Sequence, residues 1–73
     1  MRYLIDCNHP GVVFACATTE LTLKFFQAMV EEGACMEEIE AGDEFPDWDV
    51  CTVEEDFNPD NFNPFYYWYW GQY

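Results

Sequence analysis

The sequence predicts a small α+β domain in which one helix packs on an antiparallel sheet, with the elements in the order β-β-α-β-β. Three observations favour this class. The chain has 73 residues, which suffices for a single domain over residues 1–73. Hydrophobic residues make up 51% of it and aromatic residues 21%, and disordered acidic segments are poor in aromatics. Short strand-like runs flank one run with helical periodicity.

The first two elements are predicted to form a hairpin, which with the following helix occupies residues 1–33. Residues 2–7 alternate as in a strand, and residues 8–11 (Asn-His-Pro-Gly) have turn chemistry because proline presets φ and glycine tolerates positive φ. Residues 12–17 are too apolar to face water on either side, which predicts a central strand.

The helix is predicted to begin at a cap provided by Thr18 or Thr19 and to end at Gly33. At about 100° per residue its apolar side chains cover a broad arc of the surface. The members of this arc are Leu21, Phe25, Phe26, Ala28, Met29 and Val30. Such a broad arc indicates a helix that packs across a sheet and is partly covered by another segment, for which the aromatic end of the chain is the candidate.

The rest of the chain divides into an acidic segment (34–60) and an aromatic C-terminal strand (61–73). We expect a strand near residues 35–41, because this stretch is short and follows a helix stop. Residues 48–55 alternate as a further strand, and residues 65–70 are predicted to form the last one.

The aromatic strand has two interpretations. As a strand it alternates Phe65, Tyr67 and Tyr69 with Tyr66, Trp68 and Trp70, so one set can enter the core while the other faces outward. The segment either serves core packing or presents its outward set as an interface anchor. An uncharged aromatic strand left bare is prone to aggregation, so we expect the helix, a second copy or a target to cover it.

The charge of the chain limits its partners. It has 15 acidic residues against 2 basic ones and a formal net charge of −13. A protein that binds a nucleic acid or an anionic membrane surface must neutralise its negative charge with Lys and Arg. The strong negative charge of this chain therefore excludes direct binding to either partner. The expected partner is a basic protein, and the chain itself is expected to be a monomer or homodimer.

We expect a cytoplasmic protein with reduced thiols. The apolar stretch at the N-terminus is too short for a signal peptide, and the longest uncharged run, residues 7–19, is too short to span a bilayer. In the cytoplasm the four cysteines, Cys7, Cys16, Cys35 and Cys51, are expected to be reduced and mostly buried.

Enzymatic and metal-binding alternatives have less support, and we expect no catalytic residue, metal or cofactor. His9 could form a nucleophile pair with Cys7, but no third orienting group is evident, so a turn histidine is favoured. The cysteine spacings do not fit a zinc site. Residues 56–61 match the start of an EF-hand loop, but Tyr67 replaces its bidentate glutamate, so we predict an acidic turn.

The acidic segment is the most distinctive feature. The net charge of the chain exceeds the magnitude of about 2–8 that a small domain needs for solubility. Packing so many acids together also lowers the stability of the fold, because like charges repel each other. Salt adaptation is an alternative explanation for the acids. Alternate residues on a strand lie about 6.6 Å apart on one face, so ordered carboxylates can follow the charge pattern of a nucleic-acid backbone. We therefore predict an acidic binding surface made of Glu37, Glu38, Glu40, Asp43, Glu44, Asp47, Asp49, Glu54, Glu55 and Asp56.

These acids give the chain a resemblance to a known group. The runs that carry it are Glu31-Glu32, Glu37-Glu38-Ile39-Glu40, Asp43-Glu44, Asp47-Trp48-Asp49 and Glu54-Glu55-Asp56. The sequence resembles the small acidic proteins that bacteriophages make against host defences, including anti-CRISPR proteins and other DNA-mimic inhibitors. The resemblance implies a non-enzymatic inhibitor in the host cytoplasm that occupies the nucleic-acid-binding groove of a host protein, such as a CRISPR effector complex. The alternative is an acidic protein-interaction module or assembly factor without mimicry.

Overall fold

The predicted hairpin and helix are present in the computed structural model, which describes residues 1–40 and 45–71. The described residues form one small α+β domain. Its elements, in chain order, are β1 (Arg2–Asp6), β2 (Val12–Cys16), α1 (Thr19–Glu31), β3 (Met36–Ile39), β4 (Asp49–Thr52) and α2 (Pro64–Trp68). Within these residues, neither helix is long and apolar enough to cross a membrane.

The four strands form one sheet in the order β3-β1-β2-β4. β1 pairs antiparallel with both β2 and β3, whereas β4 pairs parallel with β2. The prediction of an antiparallel sheet is therefore wrong in one pairing, and the sheet is mixed. The reason is that β3 and β4 lie at opposite edges, so the chain crosses from one edge to the other instead of turning back as a hairpin.

Local capping determines the ends of α1. The Thr18 hydroxyl oxygen accepts the Leu21 N–H at 3.0 Å, which confirms one of the two predicted caps. Gly33 follows the helix with a φ of 97°, and the N–H of Ala34 donates to the carbonyl of Met29. This is a Schellman motif, and it requires the positive φ that glycine adopts without strain.

The core lies between the sheet and the two helices. β2 is buried along its whole length, which confirms the predicted central strand. Phe14 of β2 and Phe25 of α1 are fully buried with their ring centroids 5.1 Å apart. Val30 was expected in the buried arc but is exposed, and the structure buries Thr22 instead, whose hydroxyl donates to the carbonyl of Thr18.

The C-terminal aromatic segment is a short helix, so the prediction of a strand at 61–73 is wrong for the part that the structure describes. Asn63 caps this helix by accepting the Phe65 N–H at 3.0 Å, and Pro64 fits the first helical position because it needs no hydrogen-bond partner there. In and directly after the helix the two alternate sets do not separate, because Tyr67, Trp68 and Trp70 are all partly buried against the core. Tyr67 packs edge-on against Phe25 at 4.9 Å, while Tyr66 is exposed. The expected aromatic cover beside α1 is confirmed.

All four cysteines are free. Cys16 and Cys51 are buried, but Cys7 and Cys35 are exposed, so the expectation that the thiols are mostly buried is wrong for half of them.

A buried thiol and a half-buried tyrosine predict a loss of stability at alkaline pH. Burial raises the pKa of Cys51 from 9.0 to about 11 and the pKa of Tyr67 from 10.0 to about 12. As the pH rises above about 9, the unfolded chain therefore releases protons that the folded chain keeps, and the free energy of unfolding falls. In urea titrations, Tyr67→Phe should make this decline shallower between about pH 10 and 12. If the free energy of unfolding fell with pH at the same slope in the parent and the variant, the raised pKa of Tyr67 would be contradicted.

Candidate acidic interface

Eight of the ten acids predicted to form the binding surface lie in the described residues, and all eight are exposed. Asp43 and Glu44 lie outside the described residues. Three of the eight are on β3 or directly after it, and we call them the β3 row: Glu37, Glu38 and Glu40. Five lie in and around β4, and we call them the β4 group: Asp47, Asp49, Glu54, Glu55 and Asp56.

The fold separates these two sets. β3 and β4 are the two edge strands, with β1 and β2 between them. Three inter-strand spacings place the edges about 14 Å apart. The acidic segment, which is continuous in the sequence, thus becomes two acidic borders on one sheet rather than a single cluster.

Glu38 of the β3 row forms an ion pair with Arg2 of the same domain. The Arg2 Nη2 donates to Glu38 Oε1 at 2.7 Å, and the Arg2 Nε donates to the second carboxylate oxygen. This hydrogen bond and the positive charge of Arg2 hold the pKa of Glu38 below its ordinary value. Among the described residues, the pair of Arg2 and Glu38 is the only ion pair that involves Lys or Arg, so the other seven acids have no basic partner of this kind there. Glu38 therefore contributes less free charge than the sequence predicts.

Asp49 connects the β4 group to the aromatic helix. Its backbone N–H donates to the carbonyl of Gly11 at 3.0 Å, which fixes the start of β4 beside the hairpin turn. Gly71, after α2, has a φ of 83°, and a Cβ at this position would lie 2.9 Å from Asp49 Oδ2. The close approach places a carboxylate next to the end of α2, which the sequence did not indicate.

A groove of about 390 Å³ lies beside Asp56. Its walls combine aromatic rings with amide side chains: Phe57, Asn58, Asn61, Phe62, Asn63, Tyr66 and Tyr67. The Asp60 N–H donates to Asn58 Oδ1 at 2.9 Å, which forms the turn predicted at residues 56–61. Sequence reasoning missed the groove, although the alternation of asparagine and aromatic residues over 57–67 was visible.

His9 is a structural residue of the hairpin turn. Its Nδ1 lies 3.0 Å from Oδ2 of the fully buried Asp6, and its ring stacks on Trp68 with centroids 4.8 Å apart. These contacts fasten the β1–β2 turn to α2. In the described part of the chain, no three His, Cys, Asp or Glu side chains come together as metal ligands would.

Comparisons with protein-family models, with curated proteins and with solved structures found no match to this chain.

Proposed function

We propose that the protein is a non-enzymatic inhibitor whose acidic surface occupies the nucleic-acid-binding groove of a host protein, as an anti-CRISPR-type DNA mimic does. Its site of action is the cytoplasm of the host cell. The observation that supports this most strongly is the placement of exposed carboxylates on and beside the two edge strands of the sheet, most of them without a basic partner in the described residues.

The geometry of the two borders resembles that of a duplex. Each strand of DNA carries one phosphate per about 3.4 Å of helix axis, and side chains on one face of a β-strand lie about 6.6 Å apart, which spans two phosphate steps. The borders are about 14 Å apart, which is comparable with the major-groove width of about 12 Å. A basic groove that contacts phosphates on both sides of a major groove could therefore contact both borders.

Aromatic side chains next to the β4 group supply a second type of contact. Phe65, Tyr66 and Tyr69 are each more than a third exposed, and Phe65 stacks on Tyr69 with centroids 6.2 Å apart. The face of an aromatic ring attracts the guanidinium of arginine, and Tyr is enriched in interface hot spots. Tyr66 and Asp56 line the same groove, so an arginine of the target could contact a ring and a carboxylate together.

An acidic interaction module without mimicry is the second candidate. It would use the same charges on a basic partner but leave the partner's nucleic-acid site open. Mutual exclusion with duplex DNA distinguishes the two, because two ligands of one groove cannot bind at the same time.

The binding is expected to depend strongly on salt. Exposed charges are screened beyond about 8–10 Å at physiological ionic strength, and electrostatic steering acts mainly on the association rate. Between low and moderate salt, affinity for a CRISPR effector complex or other basic target should fall about tenfold or more, mostly through the association rate. Surface plasmon resonance across a salt series measures both constants, with duplex DNA binding to the same target as the positive control. A dissociation constant that does not change with salt would exclude the electrostatic mechanism.

A further inference from the structure

We infer that Cys7 and Cys35 form a reversible disulfide site, which joins the end of β1 to the residue before β3 when a low-molecular-weight disulfide is present as oxidant. This site is independent of the proposed inhibitor function.

The strand register places the two cysteines opposite each other. The ladder between the antiparallel strands β1 and β3 ends at the pair of Asp6 and Met36, and Cys7 and Cys35 are the residues one step beyond it. The Cys7 N–H donates to the Cys35 carbonyl at 2.9 Å. Directly opposed residues in an antiparallel pair point to the same face, and their Cα atoms are about 4.5–5.5 Å apart. That separation lies within the range of about 4.4–6.8 Å that a disulfide spans.

The backbone at this position is already fixed. The Cys35 N–H donates to Asp6 Oδ1 at 3.1 Å, and Asp6 is fully buried. The disulfide therefore needs rotation of two side chains and little movement of the strands.

Both thiols are exposed, in contrast to Cys16 and Cys51. Desolvation, the neighbouring Glu37 and the Cys35 thiol together raise the pKa of Cys7 to about 11. Because the thiolate is the attacking species, the raised pKa makes Cys7 a slow nucleophile at neutral pH, and its exchange with a small disulfide becomes faster as the pH rises.

The reaction proceeds by two exchanges. One protein thiolate attacks a sulfur of the small disulfide R–S–S–R, which forms a mixed disulfide and releases one RS⁻. The second protein thiolate then attacks the protein sulfur of the mixed disulfide and releases the second RS⁻. The protein loses two protons and two electrons, and the oxidant leaves as two RSH molecules. Exposed disulfides are readily reduced, so an excess of thiol reverses the reaction.

The test uses cystamine, a small cationic disulfide that the acidic surface attracts. Native protein is treated with cystamine, remaining thiols are alkylated, and the linkage is read by peptide mass spectrometry. We expect a Cys7–Cys35 cross-link with the loss of two hydrogen masses, and free thiols at Cys16 and Cys51. Because the disulfide closes a loop over residues 7–35, the melting temperature should rise by roughly 5–15 °C and return after treatment with dithiothreitol.

Cys7→Ser and Cys35→Ser are the matched controls. Each leaves one exposed thiol, so each should stop at the cystamine mixed disulfide without the rise in melting temperature. Two separate mixed disulfides on the parent protein, or a cross-link to Cys16 or Cys51, would overturn the inference.

Discussion

Asp6→Ala is expected to destabilise the fold by about 3–5 kcal/mol, because it removes a buried side chain that accepts hydrogen bonds and leaves their buried donors unpaired. Asp6 is fully buried. Its Oδ1 accepts the backbone N–H groups of Asn8 and Cys35 at 2.9 and 3.1 Å, and its Oδ2 lies 3.0 Å from His9 Nδ1. The substitution leaves the two backbone N–H groups without their acceptor and His9 Nδ1 without its partner, which loosens the hairpin turn from α2. Urea unfolding monitored by tryptophan fluorescence measures the loss.

Two further variants keep this prediction testable if Asp6→Ala does not fold, since a small domain has only about 5–15 kcal/mol of stability. Asp6→Asn retains an oxygen for the two backbone N–H groups and should cost about 1–2 kcal/mol. Asp60→Ala removes the same charge from an exposed turn and should change stability by no more than about 0.5 kcal/mol. Asp6 variants as stable as Asp60→Ala would show that the buried carboxylate does not hold the turn.

Local signals in the sequence were sufficient for the first half of the fold. The limits of α1 depend on Thr18 and Gly33, which act on backbone groups within a few residues of themselves. The first hairpin depends on a turn sequence between two apolar runs. The position of β3 could also be predicted, because a short run after a helix stop leaves little room for a second helix.

The arrangement of the second half depends on contacts that are distant in the sequence. Nothing in residues 36–52 indicates that β3 and β4 lie at opposite edges, so the division of the acids into two borders was not foreseeable. At the C-terminus, Asn63 and Pro64 form a helix cap, but Asn-Pro is equally typical of a turn, and the aromatic alternation favoured a strand. The burial of Asp6 depends on an N–H 29 positions away.

Neutralising the β4 group should weaken binding strongly while leaving the fold intact. In the triple variant Glu54→Gln, Glu55→Gln, Asp56→Asn, all three positions are exposed, so the loss of self-repulsion should leave stability unchanged or slightly higher. Each lost charge leaves a basic group of the target unpaired. Removing one partner of a buried charged pair costs about 2–5 kcal/mol, so affinity should fall at least about 30-fold.

The matched control removes two charges elsewhere and is compared with the double variant Glu54→Gln, Glu55→Gln. Glu31→Gln, Glu32→Gln changes two exposed acids at the C-terminal end of α1, which are outside both borders. Glu20 is left unchanged because it lines a pocket together with Glu55. Binding of this α1 variant should change by only a few-fold, through the reduced net charge. Equal losses in the two double variants would show that net charge, and not the positions of the acids on the sheet, determines the affinity.

Competition with duplex DNA is the most direct measurement of the proposed function. The candidate targets are purified CRISPR effector complexes and restriction enzymes, together with proteins that the immobilised chain retains from a bacterial lysate. Each target is incubated with fluorescent duplex DNA. The protein is then added while fluorescence anisotropy reports bound DNA. For its target, the parent protein should displace the duplex at stoichiometric concentrations, the α1 variant should do the same, and the β4-group variant should fail. Simultaneous binding of the protein and duplex DNA to every target that binds the protein would contradict the proposal.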